Sequence, residues 1–465
     1  MSNNIITSEV INAEEHQYGQ LKKVLGPAHI WALGVGIVLV GEFMGWNFTI
    51  AKGGSIGALI AMWAVGLLYV TLVMCNTEIG SVIPEAGGQY AMAKYILGPL
   101  AAFNVGLMIV FEYAMLEAAN ILVIGEIIKT IHPDVNSLPY IFLSLALLTV
   151  LNYRGIQATL TVNLVITAIA YVTIFILLFG TKFYVPEASL LRHEEMMSGL
   201  PYGWIGIIAA FQFGIWFYLG IEGTALGAEE CRSTGRSLPV GALTGVVTLL
   251  VGATITWYVT SGLVNWVALG ESVYPLYEAA LATEIPFVIA ALFVGTVLAC
   301  LASASGCIAD SGRSWFSMAR DTLIPAWFGG VHPKYKTPYR AIVFLVPISL
   351  SFAFTGLLDQ VIAFSILSGI YIYLLVGIMM LKFRQMYPLG NLNRGYIAPW
   401  HPYPAVFLII LTLMVFVGFY LGYAVNLLAG TVFYILASIW FVVHRYKFVD
   451  THTFLKSKWP RPQGY

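Results

Sequence analysis

From Ala28 onward the chain is written in apolar runs, separated by short polar stretches rich in glycine, proline and charge. Twelve runs can be marked, at 28–50, 55–79, 99–129, 138–153, 159–181, 203–229, 240–265, 286–312, 339–357, 360–383, 402–424 and 427–445. Most reach the roughly 20 residues that a helix needs to cross the hydrocarbon of a bilayer. Inside hydrocarbon the backbone must bond to itself, so a spanning run of this kind is a helix. The runs do not alternate apolar and polar at period two, which argues against barrel strands. The pattern predicts an all-α polytopic membrane protein with twelve transmembrane helices. Residues 1–27 form a polar tail without a charged-then-apolar cleavable signal, and 446–465 form a second tail.

Composition strengthens that picture. Hydrophobic residues make up 59% of the 465 and charged residues only 10%, against about a quarter charged in soluble domains. Lys+Arg and Asp+Glu balance at 23 each, so net charge gives no reason to expect a nucleic-acid partner. Distribution says more. With the N-terminus inside, nineteen Lys and Arg fall in inner segments, and only Lys52, Lys129, Lys182 and Arg192 in outer ones. That asymmetry places both termini on the cytoplasmic side, and the inner, cytoplasmic membrane is the expected location. The cysteines Cys75, Cys231, Cys300 and Cys307 make no paired metal spacing. No metal site, cofactor, P-loop or dinucleotide fingerprint is present; GVGIVLVG has the wrong spacing. Nor is there a nucleophile–base constellation, so the chain reads as neither an enzyme nor an ATP-driven pump.

Two runs carry dense glycine together with an acid. Run 1 holds Gly34, Gly36, Gly41 and Gly45, with Glu42 in the stretch LVGEFMGWN. Run 6 reads FGIWFYLGIEGTALGAEE, with Gly214, Gly220, Gly223 and Gly227 around Glu222. These runs stand first in two consecutive groups of five. Interrupted helices at matching places in two halves point to a transporter's midplane site. Each intramembrane acid costs about 2.5–3.5 kcal/mol on insertion scales, so Glu42, Glu112, Glu117 and Glu222 are candidates for function. Glu112 and Glu117 lie five residues apart, about 140° around a helix, and do not face one point.

Three stretches carry a family resemblance: TEIGSVIPEAGGQYAMAKYILGP (77–99), SGRSWFSMARDTLIPAWFGGVHPKYKTPYRA (311–341), and the run 6 string around Gly220 and Glu222. They resemble the amino acid–polyamine–organocation (APC) permeases. The resemblance implies a five-plus-five inverted-repeat (LeuT-type) core at 28–383, with first repeat 28–181 and second repeat 203–383. Two extra helices at 402–445 would lie outside the core. Substrate would bind where helices 1 and 6 unwind, flanked by helices 3, 8 and 10, with Trp216 helping to occlude it.

One departure bears on substrate. Family members that carry amino acids usually have small residues of the Gly-Ser-Gly kind in the first break, where backbone N–H groups and a half-helix dipole hold a carboxylate. Here the break is expected at Val40-Gly41-Glu42-Phe43. A carboxylate there repels a substrate carboxylate and attracts an ammonium. The pattern GEFMGWN is most similar to the ethanolamine permease branch. The expected activity is secondary transport of a small organic amine, ethanolamine above others, by proton coupling or exchange. An amino acid permease or antiporter is the alternative. Expected substrate-binding residues are Gly41, Glu42, Phe43, Glu117, Trp216, Phe217, Gly220 and Glu222, the rings favouring a cation. Glu222, Glu112 and Trp216 are expected in proton coupling or gating. Ser303 and Ser305 of LASASG offer hydroxyls for sodium, should sodium be the coupling ion. Asp310 beside Arg313 reads as an inner ion pair, Lys94 as a side chain reaching inner headgroups. Membrane lipids and a second copy in a homodimer complete the expected partners.

Overall fold

Helices cover the apolar runs, and their ends fall where glycine, proline or a buried charge intervenes. The computed structural model describes residues 21, 23–131, 134–154, 156–184, 200–272, 274–355, 358–390, 392 and 394–449. Most of the two tails, with Lys22, Lys456, Lys458 and Arg461, and the outer Arg192 lie outside the described residues.

In chain order the helices are α1 (Pro27–Val38), α2 (Val40–Phe43), α3 (Asn47–Val82), α4 (Gln89–Ile96), α5 (Pro99–Ile131), α6 (Leu138–Arg154), α7 (Ile156–Tyr184) and α8 (Gly203–Gly214). Short tight turns follow at Ile215–Phe217, Ile221–Ala225 and Ala228–Glu230. Then come α9 (Thr234–Leu263), α10 (Trp266–Glu271), α11 (Pro275–Leu281), α12 (Pro286–Arg320), α13 (Tyr339–Ala353), α14 (Leu358–Met386) and α15 (Tyr403–Trp440). Among the described residues, seven helical stretches are long and apolar enough to cross a membrane: Asn47–Val82, Pro99–Lys129, Thr161–Lys182, Thr234–Leu263, Pro286–Arg320, Gln360–Met386 and Tyr403–Arg445. Shorter apolar helices occupy Pro27–Phe43, Leu138–Arg154, Gly203–Phe217 and Tyr339–Ala353. The protein is a multi-pass helical membrane protein.

Two of the long helices are interrupted. In α3 the backbone leaves the helix at Gly54 (φ 71°, ψ −177°). In α15 it does so at Tyr423 (φ −142°, ψ 48°). The second interruption is a fold-back, as the contacts of α14 show. The Tyr371 ring lies 5.1 Å from the Phe416 ring, and its hydroxyl is 2.6 Å from Thr431 Oγ1. Fifteen residues of straight helix would separate those partners by about 22 Å.

The central layer is α1, α2 and the turns after α8. Around it, α5 packs on α12 and α14, α8 on α3, and α9 on α1. Apolar side chains such as Leu143, Phe287, Val425 and Leu428 remain exposed on the outside. A belt of that kind suits lipid as solvent.

Lys94, Arg313 and Arg320 pair with buried or half-buried acids, and here the structure corrects two readings. The twelfth helix continues past the apolar run to Arg320, so Arg313 is inside a helix and 1% exposed. The sequence boundary at 312 stopped at the charge; the helix does not, because acids hold that charge. Lys94 does not reach outward to headgroups. It is 7% exposed and bonds Asp321 Oδ1 at 2.8 Å, with Glu85 at 3.6 Å. Glu78 of α3 accepts from Arg384, from Arg394 and, at 2.8 Å, from Ala398 N–H. That contact ties the chain after α14 back onto α3.

Candidate substrate and ion site

The first helix does not break at residues 40–43 as the glycine pattern suggested. Val40–Phe43 is a helical turn, and the chain opens at Met44 (φ −153°, ψ 165°) and Gly45 (φ 82°). Gly45 takes the left-handed backbone that glycine adopts without penalty. Gly41 serves by its lack of a side chain: a methyl there would stand 2.2 Å from the Trp216 carbonyl oxygen. After α8 the break is centred on Gly220 (φ 109°). The two breaks interlock there, since a methyl on Gly220 would meet Ile37 at 2.4 Å.

The aromatic candidates line this junction separately. The Trp216 indole N–H donates to Met44 O at 2.8 Å. Phe217 lies 5.7 Å from Trp46, ring centre to ring centre. Phe43 joins an apolar cluster with Val288 and Leu292 of α12.

Glu42 is wholly buried, and neither carboxylate oxygen closes a hydrogen bond among the described residues. Its surroundings come from α9 and α7. A methyl on Gly252 would lie 3.2 Å from Glu42 Oε1 and 3.0 Å from the Tyr171 ring, so carboxylate and ring share the space over that glycine. The Thr256 hydroxyl, one turn along α9, faces the carboxylate as its nearest donor. A buried carboxylate without hydrogen bonds is costly as an anion. It needs a proton or a cation.

Glu112 and Glu222 form a second, different group. Glu222 Oε1 accepts from the Tyr373 hydroxyl at 2.6 Å and Oε2 from Gly220 N–H at 3.1 Å. Tyr373 also bonds Tyr69 at 2.8 Å and reaches Glu112 Oε1 at 3.4 Å. The Glu222 carbonyl accepts from Gln89 Nε2 at 3.0 Å, linking the break to α4. Glu117 is turned away from this group toward α13, where Ser349 donates to its Oε2 at 2.8 Å. Two acids 140° apart on α5 thus face two different helices.

Ser303 donates to Ile37 O at 2.5 Å and accepts from Asn120 at 2.8 Å. It therefore sits where α12 meets α1. Ser305 accepts from Asn152 of α6 at 3.2 Å, on another side of the helix.

The sequence reading did not name Tyr69, Tyr373, Tyr171 or Thr256. Each stands in an apolar run, where a tyrosine or threonine reads as ordinary packing. The one available signal was a polar tip on helices flanking the breaks.

A multi-pass helical protein with two interlocked broken helices and unshared buried acids is built as a carrier. A family model described as amino acid permease matches residues 29–459, and the chain belongs to that family. Among its relatives is an uncharacterized transporter of Rhizobium meliloti (strain 1021), 52% identical over 96% of this chain and 97% of the relative. A vacuolar cationic amino acid transporter 4 of Arabidopsis thaliana is 23% identical over 72% of this chain and 59% of its own length. The branched-chain amino acid permease BcaP of Bacillus subtilis (strain 168) is 22% identical over 82% of this chain and 85% of its own.

Proposed function

We propose that this permease carries a small organic amine, ethanolamine above others, across the cytoplasmic membrane by alternating access with proton coupling or exchange. The observation that carries the reading is Glu42: a wholly buried carboxylate beside the first break that closes no hydrogen bond among the described residues, with the Thr256 hydroxyl as the donor nearest it. An ammonium group would supply the missing partner, and the Tyr171 ring beside it suits a cation. A zwitterionic amino acid would bring a carboxylate to the same apolar space, where like charges repel. In this reading Tyr171, which shares the space over Gly252 with Glu42, takes the aromatic share of the pocket that the sequence pattern assigned to Phe43, Trp216 and Phe217. Trp216 remains proposed as the occluding side chain, since its indole N–H bonds the Met44 carbonyl at the first break.

The chain crosses the membrane twelve times, in two inverted repeats at 28–181 and 203–383 followed by a hairpin at 402–445, with its basic segments in the cytoplasm. In support, the two breaks fall near the start of each repeat, and α15 folds back at Tyr423. Glu112 and Glu222 serve as the proton-carrying pair. A proton is favoured over sodium because the Ser303 oxygen already accepts from Asn120 Nδ2 at 2.8 Å, which takes up a lone pair that a sodium ion would need.

The second reading, an amino acid permease, is favoured by the printed activities of the Arabidopsis and Bacillus relatives. Counterflow into proteoliposomes separates the two. Labelled ethanolamine should exchange, whereas labelled neutral and cationic amino acids should not. Exchange of amino acids without ethanolamine overturns the amine reading and leaves the permease family standing.

A further inference from the structure

Asp310 lies in α12, wholly buried, one turn before Arg313. Its Oδ1 accepts from Arg313 Nη1 at 2.5 Å, and the same guanidinium donates through Nε to Glu230 Oε1 at 2.8 Å. One cation is thus shared between an acid on α12 and an acid at the end of the broken sixth run. The triad keeps one negative charge in excess. Asp310 Oδ2 closes no hydrogen bond among the described residues. That oxygen is aimed at Gly223: a methyl there would stand 2.1 Å from Oδ2 and 2.8 Å from the Tyr113 hydroxyl, so the two oxygens face each other across the glycine.

Tyr113 in turn bonds Gly220 O at 3.4 Å, and Gly220 N–H bonds Glu222. The groups facing Asp310 are Arg313 and Cys307 on its own helix, Tyr113 and Glu112 on α5, and Glu222 and Glu230 on the broken run. Proton-bearing groups therefore follow one another from Tyr373 and the Glu112–Glu222 pair to the Arg313–Glu230 contact. An ion pair needs only one oxygen of Asp310; the free oxygen is the unexplained part.

We propose that Asp310 is the inner station of the proton route, taking the coupling proton from the Glu112–Glu222 pair on Oδ2 and releasing it toward the cytoplasm. This rests on the proton-coupled reading above. In the transfer an O–H bond on the donor carboxyl breaks and one forms on Asp310 Oδ2, with Tyr113 or a water able to relay between them. No electrons change hands. Protonated Asp310 leaves Arg313 to Glu230 alone and makes the triad neutral. Release of the proton returns Arg313 to Asp310 within α12 and loosens its hold on Glu230, so the contact between α12 and the end of the sixth run weakens as the proton leaves. Gly223 is the positioning residue, because a side chain there would fill the gap between Oδ2 and Tyr113.

The test uses proteoliposomes and whichever labelled substrate the wild-type protein exchanges. Asp310→Asn keeps an acceptor for Arg313 but cannot hold the proton. Counterflow should persist, because exchange moves no net proton. Uptake driven by an imposed proton gradient should fall to the level seen without a gradient, and Asp310→Glu should restore it. Full gradient-driven uptake by Asp310→Asn overturns the proposal, as does loss of counterflow and driven uptake together in both variants. Should Asp310→Asn fail to insert, Glu230→Gln takes its place. It removes a negative charge beside Asp310, so the pH profile of driven uptake should move toward lower pH; an unmoved profile overturns the proposal. A wild-type protein that exchanges substrate but ignores the proton gradient instead removes the coupling reading beneath it.

Discussion

Glu42 and Glu222 are both buried glutamates at helix breaks, yet the protein treats them differently. Glu222 is held on both oxygens, by Tyr373 and by the Gly220 backbone, and Tyr373 passes the network on to Tyr69. Glu42 has the same burial and, among the described residues, only the Thr256 hydroxyl facing it, with no closed hydrogen bond. A buried polar group left unbonded costs about 1–3 kcal/mol, more when charged. The protein meets that cost at Glu222 with its own side chains and leaves it standing at Glu42. An acid kept short of partners is ready for a guest, whereas an acid embedded in a network is ready to shift that network when a proton arrives.

The largest effect that would break this comparison is at Glu42. Removing one member of a buried charge pair typically costs about 2–5 kcal/mol, or at least about thirtyfold in binding. Glu42→Gln should therefore lose saturable amine uptake by at least that factor. Its melting temperature without substrate should stay at or above that of the wild type, because an amide is cheaper to bury than a lone carboxylate. Wild-type uptake by this variant would remove the basis for amine selectivity.

Glu222→Gln should behave in the opposite sense. The amide nitrogen cannot accept from Gly220 N–H, so one buried bond is lost at a cost of about 1–3 kcal/mol. The melting temperature should fall, and proton-driven uptake should fall with it. If Glu42→Gln and Glu222→Gln lower stability equally, the distinction between an unfilled and a filled acid fails.

Part of this contrast was legible in the sequence. Glycines spaced around Glu42 and Glu222 marked two broken helices, because glycine in an apolar run has few other uses than packing or unwinding. The acids themselves stood out by cost. Which glycine unwinds was not legible: Gly41 and Gly45 look alike in a string, and only the approach of the Trp216 carbonyl decides that Gly41 stays helical. The partners were hidden for a similar reason. Tyr373 and Thr256 sit among apolar neighbours, and a hydroxyl in such a run is indistinguishable from a side chain bonded to its own helix. Arg313 was misplaced because a charge reads as the end of a span until its second acid, Glu230, distant in sequence, is seen beside Asp310 around it.

Gly252 allows a finer cut. An alanine there would press within 3.0 Å of the Tyr171 ring and 3.2 Å of Glu42 Oε1. Both are side chains that can give way, so the strain should be about 1 kcal/mol. Gly252→Ala should raise the KM for the amine about fivefold with kcat little changed. The Glu112–Glu222 site should not notice, and the pH profile of driven uptake should stay in place. A moved pH profile with an unchanged KM would mean that the two sites are one.

The smallest effect belongs to Glu117, the acid that the structure turns toward α13. Ser349 is its hydrogen-bond donor, at 2.8 Å on Oε2, while Oε1 has no partner among the described residues. Ser349→Ala should cost about 1 kcal/mol of stability, the usual worth of one buried bond. Uptake and its pH profile should follow the wild type, because neither the Glu42 pocket nor the Tyr373 network includes this contact. The measurement matters beyond its size. Glu117 resembles Glu42 in having an unbonded oxygen, and differs in lying away from both breaks. If Ser349→Ala or Glu117→Gln depressed amine uptake as far as Glu42→Gln, an unshared oxygen alone would make a binding acid. If they do not, position at the break is the second requirement, and the selectivity of this permease is built from both.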